Sequence, residues 1–243
     1  MKLAFISDVH LKENRPDNLN SFNNFLSHDL VINCDEVYFL GDIFDLLCGN
    51  HIEYLQKYNQ VFLKLNELGK RNIHLIFFEG NHDLHFEELF KKYFYEIQLT
   101  IFKSPQIIQR DNKSFYLSHG DEIDLLDRVY QNYKKIISSK PLEYFAKKIM
   151  PYHVLEFLGK NASQISKEKG KKTFNLERQK KSIRDQLVNL NKSADFLICG
   201  HTHIKDQFAL NEGRTTYYNN GYFPQEKNFI YWDGESISFQ SIS

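Results

Sequence analysis

Long apolar runs are what this sequence most lacks. The longest are a few residues, such as Leu3-Ala4-Phe5-Ile6, far short of the ~20 that span a bilayer. No basic region followed by an apolar stretch opens the chain, so no secretory signal is expected. Cysteine is scarce. Cys34, Cys48 and Cys199 are odd in number and far apart, which fits a reducing compartment and predicts a cytoplasmic protein. There is no internal repeat and no heptad pattern. Aromatic residues make up 15% of the chain, which argues against disorder. Eleven glycines and five prolines among 243 residues, with 42% apolar and 26% charged, suit a globular protein with a sizeable core.

Net charge is also absent, since 31 Lys and Arg balance 31 Asp and Glu. The balance is uneven along the chain. Residues 134–184 hold fourteen Lys and Arg against four Glu, a local excess of ten that the remainder offsets. A basic segment beside an acidic remainder suggests an anionic partner such as phosphate, nucleic acid or a membrane surface. The plainer alternative is a solvated lysine-rich face.

The apolar pattern alternates strand and helix. Met1–Ser7 reads as a buried strand, and a helix is expected over about Leu19–Ile32, with Phe22, Phe25, Leu26 and Leu30 near helical spacing. Val37–Leu40 is a second strand. Residues 52–68 carry Ile52, Leu55, Val61, Phe62, Leu65 and Leu68 on one helical face, stopped at Gly69. Ile73–Phe78 is a third strand and Phe115–Ser118 another. The rhythm then changes, and Leu125–Leu190 reads as largely helical, divided by Pro141 and Pro151. Ser163–Thr173 reads as a polar loop. Strands return at Phe196–Cys199, Gln207–Leu210, Thr215–Tyr218, Phe229–Trp232 and Ile237–Phe239. This predicts a single α/β domain over 1–243, interrupted by a helical basic insertion over 122–192.

Five short blocks follow apolar runs: Asp8-Val9-His10, Gly41-Asp42, Gly80-Asn81-His82-Asp83, Ser118-His119-Gly120-Asp121 and Gly200-His201-Thr202-His203. Each alone is weak. Gly-Asp is mostly a turn signal, and Gly-Asn-His-Asp could be a turn whose Asp83 caps a helix starting near Leu84. Together they would bring carboxylates, an amide oxygen and several imidazoles to one sheet edge. That mixture suits divalent manganese, iron, zinc or cobalt better than a thiolate zinc site or an all-oxygen calcium site. His28, His51, His74, His85 and His153 lie outside the blocks and read as surface or satisfied core residues. Cys199 reads as strand packing, and the aromatic tail Tyr217–Trp232 as core of a second sheet.

In order and spacing the blocks resemble the calcineurin-like metallophosphoesterases, over residues 5 to 203. The resemblance implies a four-layer α/β/β/α sandwich of two mixed sheets, with the last strands in the second sheet. It implies two divalent ions, manganese foremost: one on Asp8, His10, Asp42 and His203, the other on Asp42 as bridge with Asn81, His119 and His201. It further implies hydrolysis of a phosphoester or pyrophosphate bond by a metal-activated hydroxide. His82, with Asn81, would touch the substrate phosphate and assist the leaving group. Asp83 would either orient His82 or His10 or only cap the helix.

The insertion resembles the helical lid of UDP-2,3-diacylglucosamine diphosphatases of lipid A synthesis, through Asp127-Arg128-Val129-Tyr130-Gln131 and the block spacing. That implies a nucleotide-lipid substrate converted to lipid X and UMP; the lid's substrate contacts do not align residue by residue, and Ser163, Ser166, Lys167 and Lys171 are the candidates. It also implies peripheral contact with anionic lipid at an inner membrane. No obligate protein partner is implied. The chain departs from that group at His82, where arginine is usual. The alternative reading is a soluble phosphodiesterase or phosphomonoesterase on nucleotides or another small ester. A nuclease belongs to that alternative, because basic side chains can contact phosphates. A non-catalytic module on the same fold is disfavoured, because every expected ligand is present.

Overall fold

The computed structural model describes residues 1–123, 128–157, 159, 176–189 and 194–242. Thirteen strands are described, in chain order β1 (Leu3–Ile6), β2 (Glu36–Leu40), β3 (Leu47–Cys48), β4 (His74–Phe78), β5 (Asp83–Leu84), β6 (Leu99–Phe102), β7 (Gln106–Arg110), β8 (Lys113–Ser118), β9 (Phe196–Cys199), β10 (Asp206–Leu210), β11 (Thr215–Asn219), β12 (Asn228–Trp232) and β13 (Ile237–Ser241). Six form one mixed sheet in the order β13-β12-β1-β2-β4-β6. Five form a second in the order β10-β11-β9-β8-β7, and β3 pairs with β5 alone.

Strands buried on both faces must be apolar at successive positions, and the core strands are. In β1, Leu3 and Phe5 face the second sheet while Ala4 and Ile6 face helices; in β2, Tyr38 and Leu40 alternate likewise with Val37 and Phe39. Between the sheets these meet Phe115, Leu117, Ile198 and Tyr218. On the outer side of the first sheet pack α1 (Pro16–Leu26), α2 (Asp29–Ile32), α3 (Glu53–Lys57), α4 (Asn59–Gly69) and α5 (Glu87–Tyr93). Leu187, from a long helix over Leu176–Asn189, packs with Tyr116, Leu197 and Tyr217 on the outer side of the second sheet. The layers are therefore α/β/β/α. Within the expected insertion lie α6 (Arg128–Ile137), α7 (Lys140–Lys148) and α8 (Leu176–Asn189).

Several sequence expectations need correction. The tail does not all join the second sheet: β11 does, but β12 pairs antiparallel with β1, Leu3 opposite Trp232, and β13 follows it. The alternation of β12 explains this, because Ile230 and Trp232 pack between the sheets while Phe229 and Tyr231 join the helix-facing core. The helix expected over Leu19–Ile32 is two helices, because His28 Nδ1 accepts the Leu30 amide at 3.2 Å and starts α2. That expected over 52–68 breaks at Tyr58, whose hydroxyl donates to the Leu11 carbonyl at 3.1 Å. Both breaks come from packing that helical periodicity does not encode. β6 and β7 escaped the sequence pattern because their residues are half-buried or exposed edge positions.

An ion pair joins the sheets away from the carboxyl ends of β1 and β2. The Arg110 guanidinium of β7 grips Glu36 of β2 at 2.8 and 2.9 Å, the Tyr38 hydroxyl donates to the same carboxylate, and His74 stands 3.8 Å away. Burial would raise the Glu36 pKa, but these partners outweigh it and hold the group at about 2 against an ordinary 4.5. Because the folded value is depressed, its stabilisation is complete above pH 4.5 and drains away as pH falls toward 2. Glu36→Gln is expected to cost about 1.5–3 kcal/mol at pH 7. Urea titrations at pH 7 and pH 3 should show the gap from wild type narrowing at the lower pH, and a constant gap would contradict this account.

Candidate metal centre

Topology brings the five blocks together. β1, β2 and β4 are mutually parallel, as are β8 and β9, so their carboxyl ends all open on one edge of the sandwich. The blocks occupy those ends, where polar groups of α/β sheets converge. Main-chain bonds lace them: His10 N donates to Asp42 O at 2.9 Å, Leu11 N to Ile43 O at 2.9 Å and Gly200 N to His119 O at 2.8 Å. Asp8, His10, Asp42, His201 and His203 all have positive φ, between 49 and 68°. Such a conformation is uncommon outside glycine, is most tolerated by Asn, Asp and His, and concentrates at functional sites. In Asp8-Val9-His10 and His201-Thr202-His203 it falls on alternate residues.

The side chains converge accordingly. His10 Nε2 lies 3.1 Å from His203 Nε2 and 3.7 Å from Asp42 Oδ2. His203 Nε2 is 3.3 Å from Asp8 Oδ1. On the other side of Asp42, His119 Nε2 is 3.6 Å from Asp42 Oδ2, 3.1 Å from Asn81 Oδ1 and 3.3 Å from His201 Nδ1. Donor atoms of Asp8, His10 and His203 lie within 4.8 Å of one another, as do those of Asp8, Asp42 and His119. The Asp8 and Asp42 carboxylates are buried. All seven candidate ligands thus meet in one cluster around Asp8 and Asp42.

This donor set fits two divalent cations. Buried carboxylates need compensating positive charge, and mixed oxygen and imidazole donors suit borderline ions. Burial and then the neighbouring His82 and His203 hold His10 well below the usual imidazole range. Burial and His119 press His201 down to about 4. Both shifts favour the neutral ring, the form in which an imidazole ligates a metal. His119 feels the opposite field: burial opposes a proton there, but Asp42, Asp121 and Asp8 raise its pKa to about 9. Its Nδ1 donates to the Leu40 carbonyl at 3.0 Å, which turns Nε2 toward Asp42. The backbone leaves room only for these groups. A Cβ on Gly80 would sit 2.2 Å from Asp42 Oδ1, and one on Gly200 2.5 Å from Asp8 Oδ2.

His82 faces the same space from the solvent side. Its Nε2 lies 4.0 Å from Asp42 Oδ2, while Nδ1 donates to the Asp45 carbonyl at 2.9 Å. Asp83 does neither job expected of it. Its carboxylate accepts amides of Asp42 at 2.8 Å, Ile43 at 2.6 Å, Phe44 at 3.2 Å and Gly80 at 3.0 Å. It pairs in β5 with Leu47, and the following helix starts only at Glu87. Ser163, Ser166, Lys167 and Lys171 lie outside the described residues.

Sequence reading missed a sixth tip on this edge. Asn219-Asn220-Gly221 follows β11, which runs parallel to β9. Asn219 Nδ2 donates to the Gly200 carbonyl at 2.9 Å. Ser7 donates its amide to Asn220 Oδ1 at 3.2 Å and its hydroxyl to Asp8 Oδ2 at 2.5 Å. The polar-tip signal that singled out the other blocks is present here too, but without histidine or carboxylate. The histidines outside the blocks are structural where their contacts are described: His51 meets the Ala146 carbonyl, His74 the Thr100 hydroxyl, and His85 the Ile137 carbonyl. Cys199 is buried in β9, as expected.

Known proteins resemble this chain along most of its length. The model of the family described as calcineurin-like phosphoesterase matches residues 1–205. Curated relatives include the UDP-2,3-diacylglucosamine hydrolase of Psychromonas ingrahamii, 30% identical over 84% of this chain and 81% of that protein. That of Shewanella loihica is 28% identical over 85% and 82% respectively. Among solved structures, one titled as the characterisation of a novel archaeal phosphodiesterase aligns over 99% of both chains, with 14% identity and a TM-score of 0.48.

Asp42→Ala and His201→Ala are expected to abolish turnover and to lower the bound metal measured by elemental analysis, with far-ultraviolet circular dichroism unchanged. Full activity of metal-free protein in chelator would refute the metal reading. Gly80→Ala should act through space alone: the added methyl must displace the Asp42 loop, lowering metal content and costing about 1–3 kcal/mol. Wild-type metal content in that variant would show that the loop yields freely.

Proposed function

The chain belongs to the calcineurin-like phosphoesterases, hydrolases of phosphoester bonds, and on that premise we propose that it cleaves the pyrophosphate of a UDP-2,3-diacylglucosamine-type nucleotide lipid at a dinuclear centre. The observation that carries the chemistry is the convergence of these seven donors around Asp8 and Asp42. One ion would rest on Asp8, His10, Asp42 and His203, the other on Asp42, Asn81, His119 and His201, with manganese the first choice. Two divalent ions bound there supply charge to the phosphoryl oxygens and acidify water.

The protein's own groups do the rest. Asn81 and His82 stand at the open side to hold the phosphate. The His82 Nδ1 hydrogen bond to Asp45 O leaves Nε2 as the atom that meets substrate. Protonated there, it donates to the leaving oxygen or stabilises its charge. Asp8 and Asp42, buried and hydrogen-bonded, keep the donor geometry fixed before substrate arrives, which is where electrostatic catalysis gains most.

Two things support the nucleotide-lipid substrate. The curated relatives span most of this chain and carry that substrate in their names. Residues 122–192, read as a lid, also combine lysine with exposed apolar groups: Ile136, Tyr144, Phe145, Ile149, Phe157 and Val188 are all exposed. Exposed aromatics beside lysines suit acyl chains and an anionic lipid surface. Among the described residues no helix is long and apolar enough to cross a membrane, so contact with lipid would be peripheral. One feature favours a second reading, a small nucleotide or other ester. His82 lacks the bidentate fork of an arginine and binds phosphate differently.

Turnover of UDP-2,3-diacylglucosamine beside bis-p-nitrophenyl phosphate and cyclic nucleotides, with added manganese, separates the readings. The diacyl substrate should be preferred, its kcat/KM falling as the acyl chains are shortened, and anionic liposomes should bind the protein in a salt-sensitive way. Equal cleavage of the deacylated compound, with no liposome binding at low salt, would leave the small-ester reading. His82→Ala should lower kcat by ~10²–10⁴-fold with metal content retained. A wild-type rate on a substrate with a poor leaving group would remove His82 from its role.

A further inference from the structure

His85 directly follows β5 and takes no part in the chemistry above. Its backbone has a positive φ of 61°, and its amide donates to Glu79 Oε1 at 2.8 Å. The ring is buried and reaches the turn between α6 and α7. Its Nε2 lies 2.7 Å from the carbonyl of Ile137, the last residue of α6. A carbonyl only accepts, so Nε2 carries the proton and Nδ1 of the neutral ring keeps the lone pair. Nδ1 is itself buried and has no hydrogen-bond partner. Charged groups face the ring from several elements: Glu79 just after β4, Lys103 just after β6, and Glu143 and Lys147 of α7. Glu143 Oε2 stands 3.8 Å from Nδ1, beyond hydrogen-bond reach. The other oxygen of that carboxylate is paired with Lys103 and with Lys147, each at 2.7 Å. The two lysines also meet Glu87 and Glu88 of α5, at 3.8 and 3.2 Å.

We infer that His85 is an acid-released latch that seats the α6–α7 pair on the sandwich at neutral pH. A second proton, on Nδ1, would place an imidazolium in a buried position with no acceptor in reach. The nearest carboxylate already carries two ammonium groups. Burying a charge without a hydrogen-bonded partner is strongly unfavourable, so the ring takes the proton by leaving the turn for water. Burial accordingly lowers the His85 pKa below the usual 6.5; the Ile137 carbonyl and Glu143 oppose the shift, while Lys103 and Lys147 add to it. The seated ring therefore binds a proton less readily than the hydrated one. Seating is at full strength above pH 6.5 and weakens as pH falls below it, by at most tenfold per pH unit. The latch lies outside the donor cluster and holds whichever ester that cluster cleaves.

Amide hydrogen exchange of the full-length chain at pH 7.5 and pH 5.5, with manganese present, tests the latch. Each rate is taken relative to the intrinsic rate of that amide at the same pH. In wild type, exchange in α6 and α7 should rise by up to ~10-fold at the lower pH, while β1 and β2 stay unchanged. In His85→Gln the side-chain amide can still donate to Ile137 but cannot titrate, so α6 and α7 should exchange alike at both pH values. His85→Asn suits the positive φ, cannot titrate either, and carries the test if His85→Gln does not fold. No rise in wild type would overturn the latch. An equal rise in the variants would assign the sensing to another group, such as Glu79, and overturn it too. Slower exchange at pH 5.5 would mean that His85 and Glu143 pair within the seated form, which reverses the inferred direction. A rise spread equally over β1 and β2 would be general acid unfolding and would overturn a local latch.

Discussion

Four main-chain amides on one buried carboxylate hold the active edge together. Asp83 reaches from the tip of β4 to the loop after β2 and takes the amides of Asp42, Ile43 and Phe44, while Gly80 donates from its own loop. Successive amides converging on an anion form a concave nest, and a buried carboxylate without such donors would be strongly unfavourable. The fixed loop presents Asp42 to the donors around it and lets β3 pair with β5. Burial and the adjacent Asp42 carboxylate raise the Asp83 pKa, against the pull of those amides. A cation beside Asp42 would relieve that repulsion.

The site was more legible in the sequence than the fold around it, and the reason is the range of the forces involved. A strand end declares itself locally, as an apolar run meeting glycine, aspartate or histidine, so the blocks from Asp8 to His203 could be found one at a time. Sheet membership is decided by partners far away. β12 looks like any aromatic strand until Leu3 is found opposite Trp232. Tyr58 breaks a helix because its hydroxyl bonds to Leu11, and no helical periodicity contains that fact. Asp83 was open to misreading for the same reason. A short polar tip before an apolar run looks like a helix cap, whereas its true partners lie some forty residues back, in the loop after β2.

The basic insertion also looks different with its neighbours in place. Part of its lysine excess is answered by carboxylates nearby. Lys134 pairs with Asp121 and Lys148 with Glu88, while Lys147 pairs with both Glu143 and Glu88. Glu143 of α7 in turn meets Lys103 at 2.7 Å, and the His85 ring donates to the Ile137 carbonyl at 2.7 Å. Of these, the pairs to Asp121, Glu88 and Lys103 tie α6 and α7 to the sandwich. Exposed pairs contribute little individually; their effect here is to orient α7 on the sandwich while Tyr144, Phe145 and Ile149 stay exposed.

The amide of His201 bonds to Asp8 across 193 positions of chain, and the side chain of Asn220 braces Ser7 across 213. Contacts of such separation form slowly, because a long loop must close before any of them repays the closure. During synthesis the first donors leave the ribosome long before their partners exist. Closing the candidate site therefore requires distant parts of the chain to meet, which ties the placement of its side chains to that of the two sheets.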